Sequence, residues 1–114
     1  MKIHTRRDRD DDVTVLSLDG KLTIGEGDIQ LRRTVREVLD SGGRRILIDM
    51  KQVTAMDSAG LGELVGCKAN ADDLGAVIKL MNVEARVEKV LTMTRLIGVF
   101  ETFENEVDAI ASFR

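Results

Sequence analysis

The stretch Asp49-Met50-Lys51-Gln52-Val53-Thr54-Ala55-Met56-Asp57-Ser58-Ala59-Gly60-Leu61-Gly62 joins a buried strand to a glycine-rich helix. Just before it, Ile46, Leu47 and Ile48 stand in a row, the pattern of a strand covered on both faces. The spacing predicts a strand over Arg45–Met50 ending in Asp49, a connection through Met56, and a helix opened by Asp57-Ser58. That helix holds Gly60, Gly62 and Gly66, each costing roughly 1 kcal/mol against alanine in a helix interior. Close approach of the helix to a sheet or to a partner chain is the usual return for such glycines.

Working outward, apolar periods alternate between strand-like and helix-like, which predicts an α/β domain. Upstream, Val13, Val15, Leu16 and Leu18 make a short strand, preceded by the charged run Asp8–Asp12 as a hairpin tip and an edge strand near Ile3–Arg7. Gly20 breaks the strand pattern. Gly25-Glu26-Gly27-Asp28 then reads as a loop with a helix N-cap at its end. Leu31, Val35, Val38 and Leu39 fall on one face of a helix that stops at Gly42-Gly43.

Downstream, a second helix is expected over Ala59–Ala71, with Leu61, Leu64 and Val65 inward, then a strand over Ala76–Met81. Val83, Val87, Val90, Leu91 and Thr94 mark a third helix. A last short strand is expected around Leu96–Phe100. Val107, Ile110 and Ala111 give a closing helix begun near Phe103–Asn105. The expected architecture is a single domain over residues 1–114, a mixed sheet of four or five strands packed against about four helices. Function is expected at the strand-to-helix junctions.

Composition narrows the function classes. The 114 residues are 43% hydrophobic and 32% charged, the balance of one globular domain. No apolar run approaches the roughly 20 residues of a membrane helix, and Met1–Arg6 lacks the apolar stretch of a signal peptide. One cysteine, Cys67, cannot pair internally; a cytoplasmic location without membrane insertion is the expectation. A net charge of −3 and three aromatics, all Phe, argue against nucleic acid as a partner.

Ser58 carries two compatible readings. It, or Asp57, caps the second helix by accepting a bond from a free backbone N–H. It is also placed to be a phosphoacceptor, because a helix N-terminus offers unpaired N–H groups and a positive dipole end. A phosphate there adds a charge of about −1.5 to −2 beside Asp57 and alters any docking surface.

In this context Asp57-Ser58-Ala59-Gly60-Leu61-Gly62 resembles the hallmark of the STAS-domain family of anti-sigma-factor antagonists, the bacterial partner-switching regulators. The likeness extends to Asp19-Gly20-Lys21-Leu22, the order of elements, and Phe100-Glu101-Thr102-Phe103. It implies that the unphosphorylated chain binds an anti-sigma factor that is also a serine kinase, and so frees a sigma factor. Phosphorylation of Ser58 releases the complex and a dedicated phosphatase resets it. The chain is then substrate and ligand, not an enzyme, with no cofactor and no ATP site of its own. The expected partner surface comprises Met56, Asp57, Gly60, Gly62 and Glu63, with Thr23, Gly25 and Glu26 alongside. Many relatives carry an aspartate where this chain has Thr23, which points to a subclass whose switching kinase differs from the best-known sporulation and stress systems.

Other chemistries fit less well. Serine hydrolysis needs a histidine base, and the sole histidine, His4, lies on the edge strand away from any Gly-x-Ser-x-Gly elbow. Gly25-Glu26-Gly27 lacks the lysine of a phosphate-binding loop, and Glu26 would repel a phosphate. Asp49 imitates the phosphoaspartate of a receiver domain, but the acidic run Asp10–Asp12 precedes the wrong strand. No His/Cys cluster has metal-ligand spacing, and Cys67 reads as a small packing residue. The rival that keeps the fold is a scaffold or transporter-accessory STAS domain in which Ser58 is a helix cap only. Leu96, Ile97, Val99 and Phe100 are either core or a face for a weak homodimer.

Overall fold

Alternation along the second strand sets up two layers of core. Leu16 and Leu18 point to one side of the sheet, while Val13 and Val15 point to the other. The computed structural model describes residues 1–114, apart from the side chain of Ile97. Its elements are β1 (Lys2–Asp8), β2 (Val13–Leu22), α1 (Gly27–Asp40), β3 (Arg45–Met56), α2 (Ser58–Asp73), β4 (Val77–Met81), α3 (Ala85–Met93), a 3-10 turn (Ile97–Val99), β5 (Thr102–Phe103) and α4 (Glu106–Ala111).

The sheet runs β1-β2-β3-β4-β5, with β1 antiparallel to β2 and the other pairs parallel. It is the mixed α/β sheet expected, with five strands and four helices. The larger core gathers Leu16, Leu18, Leu31, Val35, Ile46, Ile48, Leu64, Leu80, Val87 and Leu91 between the sheet and α1, α2 and α3. On the opposite face α4 covers Val13, Val15, Leu47 and Met81 with Ala109, Ile110 and Phe113. Lys79, on β4, is 7% exposed within that second layer. Its ammonium donates to the Ser112 carbonyl (3.0 Å) and hydroxyl (2.9 Å), pairs with Glu101 at 3.1 Å, and lies 4.7 Å from the centre of the Phe113 ring.

Several boundaries differ from the sequence expectation. Gly20 does not end β2: the strand passes through it at an irregular step in the β2–β3 register. Its φ of +125° and the Met1 backbone packed against it explain the glycine. Likewise β3 does not end at Asp49. Having lost β4 beyond the Asp49–Met81 pair, it continues to Met56 on β2 alone. The bared edge is partly covered where Arg86 donates to the Thr54 carbonyl at 2.7 Å.

Helix α1 begins one residue before Asp28, and Asp28 does not cap it. The Asp28 carboxylate instead accepts from Gly25 N (3.0 Å) and Ile29 N (2.8 Å). The segment Leu96–Phe100 is a 3-10 turn rather than a strand, and the last strand is Thr102–Phe103. Phe100 is buried and Leu96 packs on the larger core, so both are core residues, whereas Val99 is 37% exposed. The side chain of Ile97 lies outside what is described. Asn105 caps α4, accepting from Asp108 N at 2.9 Å, and Val107 faces outward at 78% exposure.

The Asp57-Ser58 junction

Two helix N-termini close on the last residues of β2. A Cβ on Gly27 would run into the Lys21 carbonyl, and one on Gly60 into that of Leu22. Glycine at these positions lets α1 and α2 sit directly on the strand backbone. The expectation of close approach for the three glycines of α2 divides here. Around Gly62 and Gly66 there is open space, so close packing within this chain explains Gly60 alone.

Asp57 ties the junction together. It occupies the N-cap of α2 in an extended conformation, and its Oδ1 accepts from Gly60 N at 2.8 Å. Its Oδ2 accepts from Ile24 N at 3.0 Å, across from the β2–α1 loop. These two amides, Gly60 first and then Ile24, hold the Asp57 carboxyl below its ordinary value of 3.8. The residue backbone joins in, as Asp57 N donates to the Leu22 carbonyl at 3.4 Å and Leu61 N to the Asp57 carbonyl at 2.9 Å.

Of the two candidate caps, then, the cap is Asp57. Ser58 stands at the first helical position, exposed to solvent. Its hydroxyl is not what satisfies the helix terminus. His4, on β1, pairs with Ser17 of β2, whereas the Ser58 turn adjoins Leu22 at the end of that strand. Five residues of strand separate the two places, about 17 Å, so no histidine is within reach to activate the serine.

The remaining candidates fall into three groups. Thr23, Gly25 and Glu26 form the neighbouring loop. There Thr23 O accepts from Asp28 N at 3.2 Å, Gly25 has φ +96°, and Glu26 lies 3.6 Å from the Met1 ammonium. Met56 is half-buried against the core, and Gly62 is exposed. Glu63 is held by Arg32 through two bonds of 3.1 Å, which joins α1 to α2. Gly60 is buried under β2, so it positions the turn and is not itself available for contact.

Ile24 lies within the Thr23–Gly27 loop expected beside the partner surface, but the sequence did not single it out there. Its side chain is 75% exposed while its amide is held by Asp57. The only signal for it was a lone large apolar residue inside an otherwise polar loop.

Cys67 is 2% exposed, and burial, with Glu63 next to it, pushes its thiol up to about 12. It is a packing residue, as expected. Among the described residues no group of three or more His, Cys, Asp or Glu is placed to hold a metal ion. Among them, too, no helix is long and apolar enough to cross a membrane.

Comparison with known proteins converges on one family. The family model described as the STAS domain matches residues 5–109. A protein of Thermotoga neapolitana named as a candidate anti-sigma factor antagonist is 25% identical over 103 residues, which span 88% of this chain and 91% of the relative. The crystal structure of a candidate anti-sigma factor antagonist from Thermotoga maritima superposes with a TM-score of 0.88 at 25% identity, spanning 98% of this chain and 94% of that one. The phosphorylated form of the Bacillus cell fate determinant SpoIIAA superposes with a TM-score of 0.75 at 21% identity, spanning 99% of this chain and all of that one (100%).

Proposed function

Because the chain belongs to the STAS domain family, we propose that it is an anti-sigma-factor antagonist switched by phosphorylation of Ser58. In its unphosphorylated form it binds an anti-sigma factor that is also a serine kinase, and so frees the sigma factor. The kinase moves the γ-phosphoryl group of ATP from ADP oxygen to Ser58 Oγ, and the hydroxyl proton leaves to a base on the kinase. A phosphatase returns the serine.

The observation that carries this reading is the division of labour between neighbours: Asp57 caps the helix and Ser58, next to it, is exposed. A serine freed from capping can be modified without unwinding the helix, whose dipole end tolerates the added anion. Gly62, four residues on and therefore on the same helix face, has nothing within 4 Å of where a Cβ would stand. That leaves a bare track beside Ser58 for a partner backbone. Against the rival reading, a scaffold or transporter-accessory STAS domain in which Ser58 is a helix cap only, stands the placing of Asp57 rather than Ser58 at the cap.

The test is intact-mass and phosphopeptide analysis after incubation with ATP and each anti-sigma factor of the serine-kinase type from the same genome. One phosphate on Ser58, added by one of them, is the expected result. Ser58→Asp should fold normally and bind that kinase at least ~10-fold more weakly, about 1.4 kcal/mol, while Ser58→Ala should keep binding. Ser58 left unmodified by every one of these kinases, each shown to be active, would refute the switch.

A further inference from the structure

Three large apolar side chains stand out on the surface: Val107 at 78% exposure, Ile24 at 75% and Met93 at 73%. Isolated exposed apolar residues are ordinary in soluble proteins. Ile24 differs from the others in its place, because its amide is bound by Asp57, the neighbour of Ser58. Val107 lies on the short α4 helix and Met93 is the last residue of α3. Ile24 lies in a loop that is tied down on every side. Its own amide is bound by Asp57 Oδ2, Thr23 O takes Asp28 N, and Gly25 N is taken by Asp28 Oδ1. Within the same chain, then, a fixed backbone presents an uncovered side chain.

We propose that Ile24 is the apolar anchor of the partner contact and that Asp57 is the positioning residue that presents it. The proposal rests on the anti-sigma-factor reading above and names a contact within that surface. An anchor whose backbone is already ordered binds without the entropy cost of fixing a loop. Anchors of that kind dominate interface energetics when they enter a pocket on the partner. The Asp57–Ile24 bond places this anchor beside Ser58, so one partner surface can cover both.

The chemistry of the occupant follows from the flanks. The two acidic residues of the loop are already engaged, Glu26 by the Met1 ammonium at 3.6 Å and Asp28 by the Gly25 and Ile29 amides, so its apolar side chains set what it offers. Ile29, in the first turn of α1, adds a second exposed apolar side chain at 41%. The complementary surface is a shallow apolar socket on the anti-sigma factor that takes Ile24, with Ile29 at its edge.

Two readouts on the full chain test this. In the free protein, Asp57→Ser keeps a capping oxygen for Gly60 and has no second oxygen for Ile24. The Ile24 amide should then exchange with solvent at least ~10-fold faster by NMR, with Gly60 little changed. Unchanged Ile24 exchange overturns the positioning role of Asp57. In the complex, Ile24→Asp should keep the wild-type melting temperature and lose at least ~10-fold in affinity for the anti-sigma factor of the same genome that phosphorylates the wild-type chain. Val107→Asp, on the other face of the sheet, should bind as wild type does. Wild-type binding with Ile24→Asp within twofold of it overturns the anchor and leaves the switch standing. A wild-type chain that fails to bind that protein overturns the switch, and the anchor with it.

Discussion

Gly60→Ala should destabilise this protein by about 3 kcal/mol, although alanine is the better helix former. Three contributions decide the sign. The intrinsic helix preference favours alanine by roughly 1 kcal/mol. Against it, the new Cβ would stand 2.7 Å from the Leu22 carbonyl carbon and closer still to its oxygen, where ordinary contact begins at 3.4 Å. Neither side can yield by a rotamer change, since one is helix backbone and the other is strand backbone paired with β3 at Met56. Overpacking of this rigid kind belongs at the upper end of the usual range, about 3 kcal/mol. Backing α2 away also lengthens the Asp57–Gly60 cap, which costs about 1 kcal/mol.

Gly62→Ala, two residues along, meets nothing within 4 Å, so it should stabilise by roughly 1 kcal/mol. Urea unfolding followed by far-UV circular dichroism measures both variants, and the slope with denaturant should stay at the wild-type value. At about 4 °C per kcal/mol for a chain of this size, the two melting temperatures should straddle that of the wild type. A Gly60→Ala protein as stable as wild type would refute the close approach of α2 to β2. Equal losses at both glycines would instead mean that the helix tolerates neither, whatever its neighbours.

Other outcomes follow from the same contacts. Asp57 has its carboxyl lowered from 3.8 by the Gly60 and Ile24 amides, so it contributes stability above that value and loses it as pH falls through the folded value. Asp57→Asn should therefore flatten the decline in melting temperature below about pH 4, and a decline as steep as wild type would count against the clasp. Cys67, pushed up to about 12 by burial, should react with a thiol-alkylating reagent at pH 8 only at the rate of global opening; rapid labelling of native protein would show the site to be open. Lys79→Ala strips the Ser112 carbonyl and hydroxyl of their buried donor and should cost about 3 kcal/mol. Lys79→Met, which keeps the packing, should cost less, and the ordering of the two is read from urea midpoints.

Much of this fold was legible because its signals are local. Ile46-Leu47-Ile48 could only be a strand covered twice, and Leu31, Val35 and Leu39 could only be one helix face. What escaped depends on who pairs with whom. Residues 50–56 looked like a connection because Lys51, Gln52 and Thr54 are polar; they are strand because β2 extends alongside to receive them. Leu96–Phe100 looked like a strand by hydrophobicity, and is a turn that drops Phe100 into the core. Lys79 was invisible inside the apolar run Ala76–Met81, since its partners Glu101 and Ser112 are distant in sequence.

The candidate site divides in the same way. Asp57 and Ser58 were legible as a pair, because short polar residues before a helix have few other uses. Which of them caps was decided by geometry that no spacing encodes. Gly60 looked like a contact and is a spacer, whereas Ile24, one residue of a loop expected beside the surface, is the one whose amide Asp57 holds.

The overhang of β3 sets the dynamics of the junction. Up to Asp49 the strand has a neighbour on each side, but from Gln52 to Met56 its only ladder is to β2, with Arg86 bridging one carbonyl of the other edge. The sheet is thus held by two seams at its centre and by one where Ser58 emerges. What holds the junction on that single seam is therefore the Asp57 clasp and the seat of Gly60 on Leu22, and sub-global opening there has to break them first. Ser58 itself lies exposed on the outside of that seam, so an enzyme would reach it with the clasp closed and the five-stranded body folded.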